Sequence, residues 1–310
     1  MRVLITGSTG LVGHNICERL YPDHDLLTPT HYELDLLDRK KVENYLQNAK
    51  PDFLVHCAGV VGGIQANIKE PVKYFLDNIE IGINVLIGAA SSCIKNVINL
   101  GSSCMYPRFA SNPLKEEYIL NGELEPTNEG YAIAKIGAQR LCSYLCKENP
   151  NLNFKTIIPC NLYGKWDKFS PSNSHMIPAI IKKIHEAKRD RLDEVEIWGS
   201  GKARREFMYA GDLADFIAYA LNNNEKMPDI LNVGIGRDYS IDEYYEITAR
   251  IIGYNGKFKH NFTKPEGMLQ KVVDISKLES FGWQAMTSIE EGISKTFEFY
   301  LSMESDIDKM

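Results

Sequence analysis

The sequence predicts an α/β fold in which a parallel β-sheet is covered by helices on both faces. In the first half of the chain, short runs of apolar, often β-branched residues alternate with longer stretches whose apolar residues recur at helical spacing. Because consecutive parallel strands need a crossover connection, this alternation is typical of a doubly wound sheet. The second half has shorter strands and more polar segments, which indicates a second, smaller α/β lobe.

Individual elements can be placed along the chain from the same patterns. The predicted strands cover residues 3–6, 25–27, 52–57, 97–100, 156–159, 196–198, 206–209 and 231–233. The predicted helices cover residues 11–20, 78–93, 131–146, 176–188 and 241–252. Residues 165–173 are polar and interrupted by a proline, so we expect a loop there, and the polar tail after residue 302 is expected to fray.

Length, composition and charge exclude several classes of protein. A chain of 310 residues with 44% apolar and 25% charged residues is an ordinary globular sequence, long enough for two lobes. The formal charge of −6, without a dense Lys/Arg tract, argues against nucleic-acid binding. The chain has no apolar run of about 18 residues, and its N-terminus reaches Gly7 too early for a signal peptide. We therefore expect a cytoplasmic protein that binds neither nucleic acid nor membrane.

The seven cysteines are odd in number and include no Cys-x-x-Cys pair. They are Cys17, Cys57, Cys93, Cys104, Cys142, Cys146 and Cys160. This pattern predicts neither a disulfide framework nor a metal site. We interpret six of them as packed apolar side chains and consider Cys104 separately.

The loop after the first predicted strand carries Gly7, Gly10 and Gly13 in the spacing G-x-x-G-x-x-G, and a helix is predicted to begin within it. Glycines permit a tight turn and close approach of a ligand, and the helix N-terminus offers free N–H groups to a pyrophosphate. In this strand–loop–helix context the motif predicts a Rossmann-type dinucleotide site.

The chain after the second strand bears on the choice of dinucleotide. An acid at the end of that strand would bind the ribose 2′-hydroxyl of NAD, and none stands there, which favours NADP. No arginine is present to hold a 2′-phosphate either, so His31 and Thr30 are the available donors. Asp35 and Leu36 are expected near the adenine. We predict NADP(H) as the cofactor, with NADH not excluded.

Tyr131 and Lys135 are spaced i and i+4 at the start of a predicted helix and so share one face. An ammonium beside the phenol would lower the pKa of Tyr131 from about 10. The tyrosine would then exchange a proton with a carbonyl or alcohol oxygen near neutral pH. Ser102 follows the strand predicted at 97–100, and a serine at a strand end favours a catalytic interpretation of the Tyr/Lys pair.

Two further segments make the pattern specific. Residues 102–107 read Ser-Ser-Cys-Met-Tyr-Pro and residues 171–175 read Pro-Ser-Asn-Ser-His. With the glycine loop and the Tyr/Lys pair, they resemble the extended short-chain dehydrogenases/reductases and, within that group, the GDP-L-fucose synthase family. The resemblance extends over nearly the whole chain. It implies a homodimeric enzyme that epimerises C3 and C5 of a GDP-linked 4-keto sugar and reduces its C4 ketone with NADPH.

The resemblance also implies an assignment of residues. Ser102 and Tyr131 would hold the keto oxygen, and Lys135 would bind the nicotinamide ribose. Cys104 and His175 would move protons at C3 and C5. The predicted cofactor-binding residues are these Tyr131, Lys135 and His175 together with Gly7, Thr9, Gly10, Leu11, Val12, Gly13, His31, Asp35, Leu36, Ala58, Gly59, Asn78, Pro159, Asn161 and Leu162. The predicted substrate-binding residues are Ser103, Lys183, Trp198, Arg205 and Glu266.

The same resemblance divides the chain into two discontinuous domains. Residues 1–164 with 212–236 would form the NADP-binding Rossmann domain, and residues 165–211 with 237–310 the GDP-sugar-binding domain. The sequence departs from the family where Thr9 and His31 replace frequent arginines. Those arginines would hold the 2′-phosphate, so their absence leaves a strict preference for NADP open. Together with further departures at Gly130 and at residues 207–212 and 268–271, they leave open a modified sugar such as a heptose.

Other activities remain open at this point. The main alternative is a 4-reductase that does not epimerise, because retained Cys104 and His175 do not by themselves decide proton transfer. A 4,6-dehydratase would need an Asp-Glu pair after the serine position, where this chain has Ser103 and Cys104. A UDP-sugar 4-epimerase would lack the Cys/His pair. A non-catalytic nucleotide-sensing scaffold would be expected to lose Tyr131 or Lys135.

Overall fold

The computed structural model describes residues 1–170, 174–264 and 268–307. The strands are β1 (Arg2–Thr6), β2 (Asp25–Leu27), β3 (Phe53–His56), β4 (Asn96–Leu100), β5 (Asn153–Pro159), β6 (Asn161–Tyr163), β7 (Glu194–Trp198), β8 (Arg204–Arg205), β9 (Phe207–Tyr209), β10 (Ile230–Val233), β11 (Tyr239–Ser240), β12 (Lys257–Asn261) and β13 (Gln270–Lys271). The helices are α1 (Leu11–Leu20), α2 (Arg39–Ala49), α3 (Ile64–Lys69), α4 (Pro71–Ser91), α5 (Glu129–Glu148), α6 (Met176–Arg189), α7 (Ala210–Asn223), α8 (Ile241–Ile252), α9 (Ser276–Phe281) and α10 (Ile289–Ile307).

The central sheet has six strands in the order β2-β1-β3-β4-β5-β10, and every neighbouring pair is parallel. The chain goes from β1 to β2 on one side and then returns to β3 on the other side of β1. The connections therefore diverge above the carboxyl ends of β1 and β3, which opens a crevice where ligands bind in sheets of this kind. The predicted doubly wound α/β fold is confirmed.

Alternate residues of each central strand enter cores on opposite faces of the sheet. Val3 packs into the cluster that contains Phe216 of α7 and residues of α1. Leu4, its neighbour in β1, packs into the cluster formed with α2, α4 and α5, which includes Leu86. All four side chains are fully buried. The near-continuous apolar run of β1 in the sequence reflects this burial on both faces.

A third apolar cluster lies away from the central sheet. It joins α6, α8 and α10 with β6, β7 and β9, and it contains the fully buried Tyr163 and Tyr244. Short sheets frame it: β12 pairs with β7, β9 pairs with β6, and β8 lies between β11 and β13. The predicted division into residues 1–164 with 212–236 and 165–211 with 237–310 remains a prediction.

Glu206 links these short strands to the end of the central sheet. It is buried between β8 and β9, and its carboxylate accepts hydrogen bonds from the backbone N–H groups of Ile235 (2.7 Å), Gly236 (2.8 Å) and Val273 (2.7 Å). Burial raises the pKa of this carboxyl to about 7, and the three donors oppose the shift. One side chain therefore ties β9, the loop after β10 and the segment after β13 together.

Several elements differ from their predictions, three of them for reasons of proline placement, strand pairing or packing. The helix expected at 78–93 begins at Pro71, because a proline suits the first helical position. The strand expected at 206–209 is β9, which begins at Phe207, and an unpredicted strand, β8, lies just before it; β8 and β9 pair with different strands on either side of Glu206. The tail after residue 302 continues α10 to Ile307. Tyr300, which is 4% exposed, anchors this helix, and its ring centre lies 5.5 Å from that of His185.

Among the described residues, no helix is long and apolar enough to cross a bilayer.

Candidate active site

The glycine loop forms the tight connection between β1 and α1 that the sequence predicts. Gly7 has a φ of +72°, and a side chain at Gly13 would place a Cβ 2.2 Å from the Gly7 carbonyl oxygen. Gly10 precedes α1 and provides no side-chain cap, so the first N–H groups of the helix remain available to an anion. This geometry fits a dinucleotide pyrophosphate. Between the glycines lie the other predicted residues of the loop, Thr9, Leu11 and Val12.

The chain after β3 lies against this loop and against α5. A Cβ on Gly7 would be 2.8 Å from the Cα of Ala58, and one on Gly59 would be 2.9 Å from Oδ1 of Asn78 and 3.5 Å from Nζ of Lys135. The Asn78 side chain accepts from the N–H of Val60 (2.9 Å) and donates to its carbonyl (3.0 Å). The tertiary structure thus brings three predicted cofactor residues, Gly59, Asn78 and Lys135, to one place.

The segment after β2 is more exposed. The His31 side chain is 73% exposed, and its Nδ1 lies 3.9 Å from Oδ1 of Asp35. The carbonyl of Leu36 accepts from Asn84, which fixes the backbone here. Sequence analysis found no acid at the end of β2, but the Glu33 carboxylate lies nearby and accepts a hydrogen bond from the Thr30 N–H at 2.7 Å.

Tyr131 and Lys135 lie on the first turns of α5, as their spacing predicts. The buried Nζ of Lys135 is 5.9 Å from the centre of the Tyr131 ring and donates to the Leu100 carbonyl at 3.0 Å. Burial lowers the pKa of Lys135 to about 8. Burial and the neighbouring Cys104 raise the pKa of Tyr131, and hydrogen bonding by Ser102 opposes them. The expectation of a lowered tyrosine pKa is therefore wrong for this structure, because burial raises the pKa and the Ser102 hydrogen bond offsets only part of that shift.

Cys104 lies in a short 3₁₀ turn, residues Ser103–Met105, that follows β4. Ser102 caps this turn, and its Oγ accepts a hydrogen bond from the Cys104 N–H at 3.2 Å. The Cys104 sulfur accepts from Nδ2 of Asn128 at 3.2 Å, and Nζ of Lys271 lies 4.0 Å from it. Ser103, predicted to contact substrate, is buried. The contacts of Ser102, Cys104 and Tyr131 place the three side chains together.

His175 is the residue immediately before α6. Its Nδ1 lies 3.2 Å from Oδ1 of Asp167, a carboxylate that is 5% exposed. This hydrogen bond and the charge of Asp167 raise the pKa of His175, although burial opposes the shift. The preceding residues of its motif, 171–173, lie outside the described residues. Asp167 falls in the segment predicted as a loop and was not singled out by its sequence context.

The end of β5 and the start of β6 carry Pro159, Asn161 and Leu162, the residues predicted beside the nicotinamide. Pro159 pairs with Val233 of β10, and Nδ2 of Asn161 donates to the Glu206 carbonyl at 2.8 Å. This segment therefore leaves the central sheet and joins the two-stranded sheet of β6 and β9 within three residues.

Three of the other predicted substrate residues lie on elements outside the central sheet. Lys183 of α6 is half-buried and donates to the Glu196 carbonyl. Trp198 ends β7 with 57% exposure, and Nζ of Lys264 lies 5.2 Å from the centre of its ring. Arg205 of β8 donates to the Arg204 carbonyl at 2.8 Å and pairs with Lys271 of β13. The last predicted substrate residue, Glu266, lies outside the described residues.

A family comparison agrees with this geometry. A model of the NAD dependent epimerase/dehydratase family matches residues 3–234, which include the glycine loop, Ser102, Tyr131 and Lys135. The chain belongs to this family. In this member of the NAD dependent epimerase/dehydratase family, the Tyr/Lys pair on α5 and the glycine loop lie at the same end of the central strands.

Relatives with assigned names cover the chain from end to end. GDP-L-colitose synthase of Yersinia pseudotuberculosis is 52% identical over 303 residues, covering 97% of this chain and 98% of the relative. GDP-L-fucose synthase of Azorhizobium caulinodans is 45% identical over 302 residues, covering 97% and 96%. The predicted resemblance to the GDP-L-fucose synthase family is confirmed.

Solved structures of similar proteins have the same fold. A GDP-6-OMe-4-keto-L-xylo-heptose reductase from C. jejuni has a TM-score of 0.90 with 29% identity, covering 97% of this chain and 98% of that one. A GDP-mannoheptose C4 reductase from Campylobacter jejuni with NADP bound has a TM-score of 0.88 with 30% identity, covering 97% and 98%. Both structures share the fold over nearly the whole chain.

Proposed function

We propose that this chain is an NADPH-dependent enzyme that reduces the C4 ketone of a GDP-linked 4-keto sugar and epimerises C3 and C5 of that sugar. The observation that carries the proposal is the cluster of Ser102, Cys104 and Tyr131 at the carboxyl end of β4, beside the buried Lys135. The names of its relatives, GDP-L-colitose synthase and GDP-L-fucose synthase, support a GDP-sugar as the substrate.

Reduction needs an acid at the ketone oxygen and a bound cofactor. NADPH, when bound, supplies the hydride that C4 receives. Because its pKa is raised, Tyr131 remains a neutral phenol near neutral pH and can donate its proton to the oxygen that becomes the alcohol. The Ser102 hydroxyl can donate a second hydrogen bond to that oxygen. Lys135 reaches Gly59 and Asn78, where the ribose is expected, and would fix the cofactor.

Epimerisation uses the same ketone. The C4 carbonyl makes the protons on C3 and C5 acidic, and donors at its oxygen stabilise the enolate that forms when one of them leaves. Cys104 and His175 supply a thiol and an imidazole, two groups that exchange protons near neutral pH. Proton removal on one face of the ring and return on the other inverts the carbon.

A second candidate is a 4-reductase that does not epimerise. It is favoured by the similarity to two solved structures whose names are a GDP-6-OMe-4-keto-L-xylo-heptose reductase and a GDP-mannoheptose C4 reductase. Against it stand the retained Cys104 with its Asn128 contact and the His175–Asp167 pair, which a reductase alone does not need. Turnover of a panel of GDP-4-keto sugars would distinguish a 6-deoxyhexose from a heptose.

Two assays test the proposal. The purified protein is mixed with GDP-4-keto-6-deoxymannose or with GDP-4-keto heptoses, and NADPH and NADH oxidation are followed by absorbance. We expect oxidation with at least one sugar and a preference for NADPH. If every sugar leaves both cofactors unoxidised, the proposed reductase function is wrong.

The epimerase half is tested without reductant. In deuterated water, an epimerase exchanges the protons at C3 or C5 of the 4-keto sugar, and nuclear magnetic resonance reports each position separately. Exchange that is absent while reduction proceeds would identify the 4-reductase instead. The Cys104→Ser variant gives the matched comparison, since it removes the thiol and leaves Ser102 and Tyr131 in place.

The remaining assignments are also proposals. We propose a homodimer formed through α4 and α5, which pack closely where Gly82 meets Ala138. Both helices also carry exposed apolar side chains, such as Val72 (67%), Leu76 (44%) and Tyr144 (59%). Light scattering of the wild type and of Leu76→Glu tests it: a dimer that becomes a folded monomer supports the interface. The cytoplasmic location and the site residues assigned by resemblance remain predictions.

A further inference from the structure

The sulfur of Cys104 is approached by two polar side chains from separate parts of the chain. Nδ2 of Asn128, the residue before α5, donates to it at 3.2 Å. Nζ of Lys271, in β13, lies 4.0 Å from it. Neither residue was predicted as functional from the sequence. A donor N–H and an ammonium together favour a sulfur that carries negative charge.

The Asn128 side chain contacts Cys104 and does not cap the helix that follows it. An asparagine before a helix normally accepts a hydrogen bond from an N–H of the first turn, which stabilises a helix by about 1 kcal/mol. Asn128 makes no such bond to α5. Its amide N–H points to Cys104, and its buried Oδ1 has no hydrogen-bond partner among the described residues. The hydrogen bonding of this side chain therefore serves the Cys104 sulfur and not the start of α5.

Lys271 reaches the same sulfur from the second lobe. It pairs with Arg205 across β8 and β13, and its carbonyl accepts from the Glu206 N–H at 3.1 Å. The Arg204 N–H donates to the Leu269 carbonyl (2.8 Å) and the Glu206 carboxylate accepts from the Val273 N–H (2.7 Å), so the segment that carries Lys271 is held on both sides of the residue. Its ammonium is thus directed to Cys104 by a fixed backbone.

We propose that Asn128 and Lys271 are positioning residues that hold Cys104 as a thiolate beside the phenol of Tyr131. This inference rests on the proposed epimerase function. The thiolate would take a proton from the carbon next to the ketone: the C–H bond breaks, an S–H bond forms, and the electron pair moves to the ketone oxygen. The Tyr131 phenol donates a hydrogen bond to that oxygen.

The charge of Cys104 affects the pKa of Tyr131 in a way that is consistent with a thiolate base and a phenol hydrogen-bond donor. Negative charge on Cys104 raises the pKa of Tyr131, so an ionised sulfur keeps the phenol protonated. An ionised Cys104 and a protonated Tyr131 are therefore mutually compatible. A competing role for Lys271 is binding the diphosphate together with Arg205, its neighbour in the sheet.

Alkylation tests the ionisation without any substrate. Thiolates react with iodoacetamide and thiols do not, so the rate near neutral pH reports the ionised fraction of Cys104. Mass spectrometry locates the label, and the exposed Cys93 is an internal reference in every sample. We expect Lys271→Met and Asn128→Asp to slow labelling of Cys104 about tenfold or more, and Lys271→Arg to retain most of the rate. Equal rates at Cys104 in all variants would overturn the proposal.

Kinetics separate the two roles of Lys271. A thiolate-holding lysine predicts that Lys271→Met lowers the turnover number of C–H exchange about tenfold with KM little changed. A higher KM with unchanged exchange turnover would assign Lys271 to the diphosphate and contradict the proposal. Lys259→Met, at an exposed lysine of β12, is the matched control and should leave both values unchanged. If no sugar is turned over by the wild type, the proposed function fails while the alkylation result still decides this inference.

Discussion

The Nζ atom of Lys135 lies 5.9 Å from the centre of the Tyr131 ring and hydrogen-bonds to the end of β4, not to the phenol. Burial lowers the pKa of this lysine to about 8 and raises the pKa of the tyrosine. Near neutral pH, Lys135 is therefore a cation and Tyr131 a neutral phenol. That state suits a tyrosine that gives a proton to the oxygen formed by reduction.

Replacing the phenol tests this role directly. Tyr131→Phe removes the proton donor, and a positioned general acid contributes about 10²–10⁴-fold to a rate. We expect NADPH oxidation to fall by at least about a hundredfold while the fold is retained. Tyr21→Phe, at an exposed position just after α1, is the control and should keep full activity. Full turnover by Tyr131→Phe would contradict the mechanism.

The glycine loop gives a prediction about cofactor binding. In Gly13→Ala the new Cβ would meet the Gly7 carbonyl at 2.2 Å, so α1 must move away from the loop. We expect the Kd for NADPH to rise about tenfold or more, which is about 1.4 kcal/mol of binding free energy. Fluorescence titration of NADPH measures it. The control is Gly63→Ala, where a Cβ would have no neighbour within 4 Å among the described residues. A Kd equal to that of the control would show that α1 adapts without cost to the site.

The Asp167–His175 pair predicts a shift in a titration curve. Because the hydrogen bond and charge of Asp167 raise the pKa of His175, Asp167→Asn should lower it. Nuclear magnetic resonance of labelled histidines would show this ring titrating at lower pH. The alkaline limb of C–H exchange should move the same way if protonated His175 is the acid. An unshifted curve would mean that Asp167 does not set this equilibrium, and Asp190→Asn, at an exposed residue, serves as the control.

Glu206 predicts a pH-dependent stability. Its pKa is about 7 in the folded protein and about 4.5 when unfolded, so the folded state binds more protons between these values. The stability that it contributes is therefore largest at acid pH and falls as pH rises from about 4.5 to about 7.

The Glu206→Gln variant isolates this effect. The difference in free energy of unfolding between the wild type and this variant should decrease by about 2 kcal/mol from pH about 5 to about 8. Urea unfolding at each pH measures it, with Glu225→Gln at an exposed position as the reference. A difference that grows with pH would show that the three backbone donors outweigh burial.

Local sequence patterns were sufficient for the central strands and for α1, α4 and α5, whereas α2 and α7, which also cover the sheet, were not predicted. The continuous apolar run of β1, the glycines after it and the helical spacing of α1 are short-range signals, and α1 and α8 have the predicted bounds. The strands around Glu206 were less predictable, because β8 and β9 are defined by partners far away in the chain. The end of α10 likewise depends on the packing of Tyr300, which no local pattern shows.

The sequence by itself determined the fold class, the family resemblance and the identity of Ser102, Cys104, Tyr131 and Lys135 as candidates, because motifs of this kind preserve spacing along the chain. Only the tertiary structure decided their surroundings. Asn128 and Lys271 are 143 positions apart, yet both reach the Cys104 sulfur. The pKa of Tyr131 rises because burial depends on every element packed around it, and a short-range Tyr/Lys spacing contains no information about that burial.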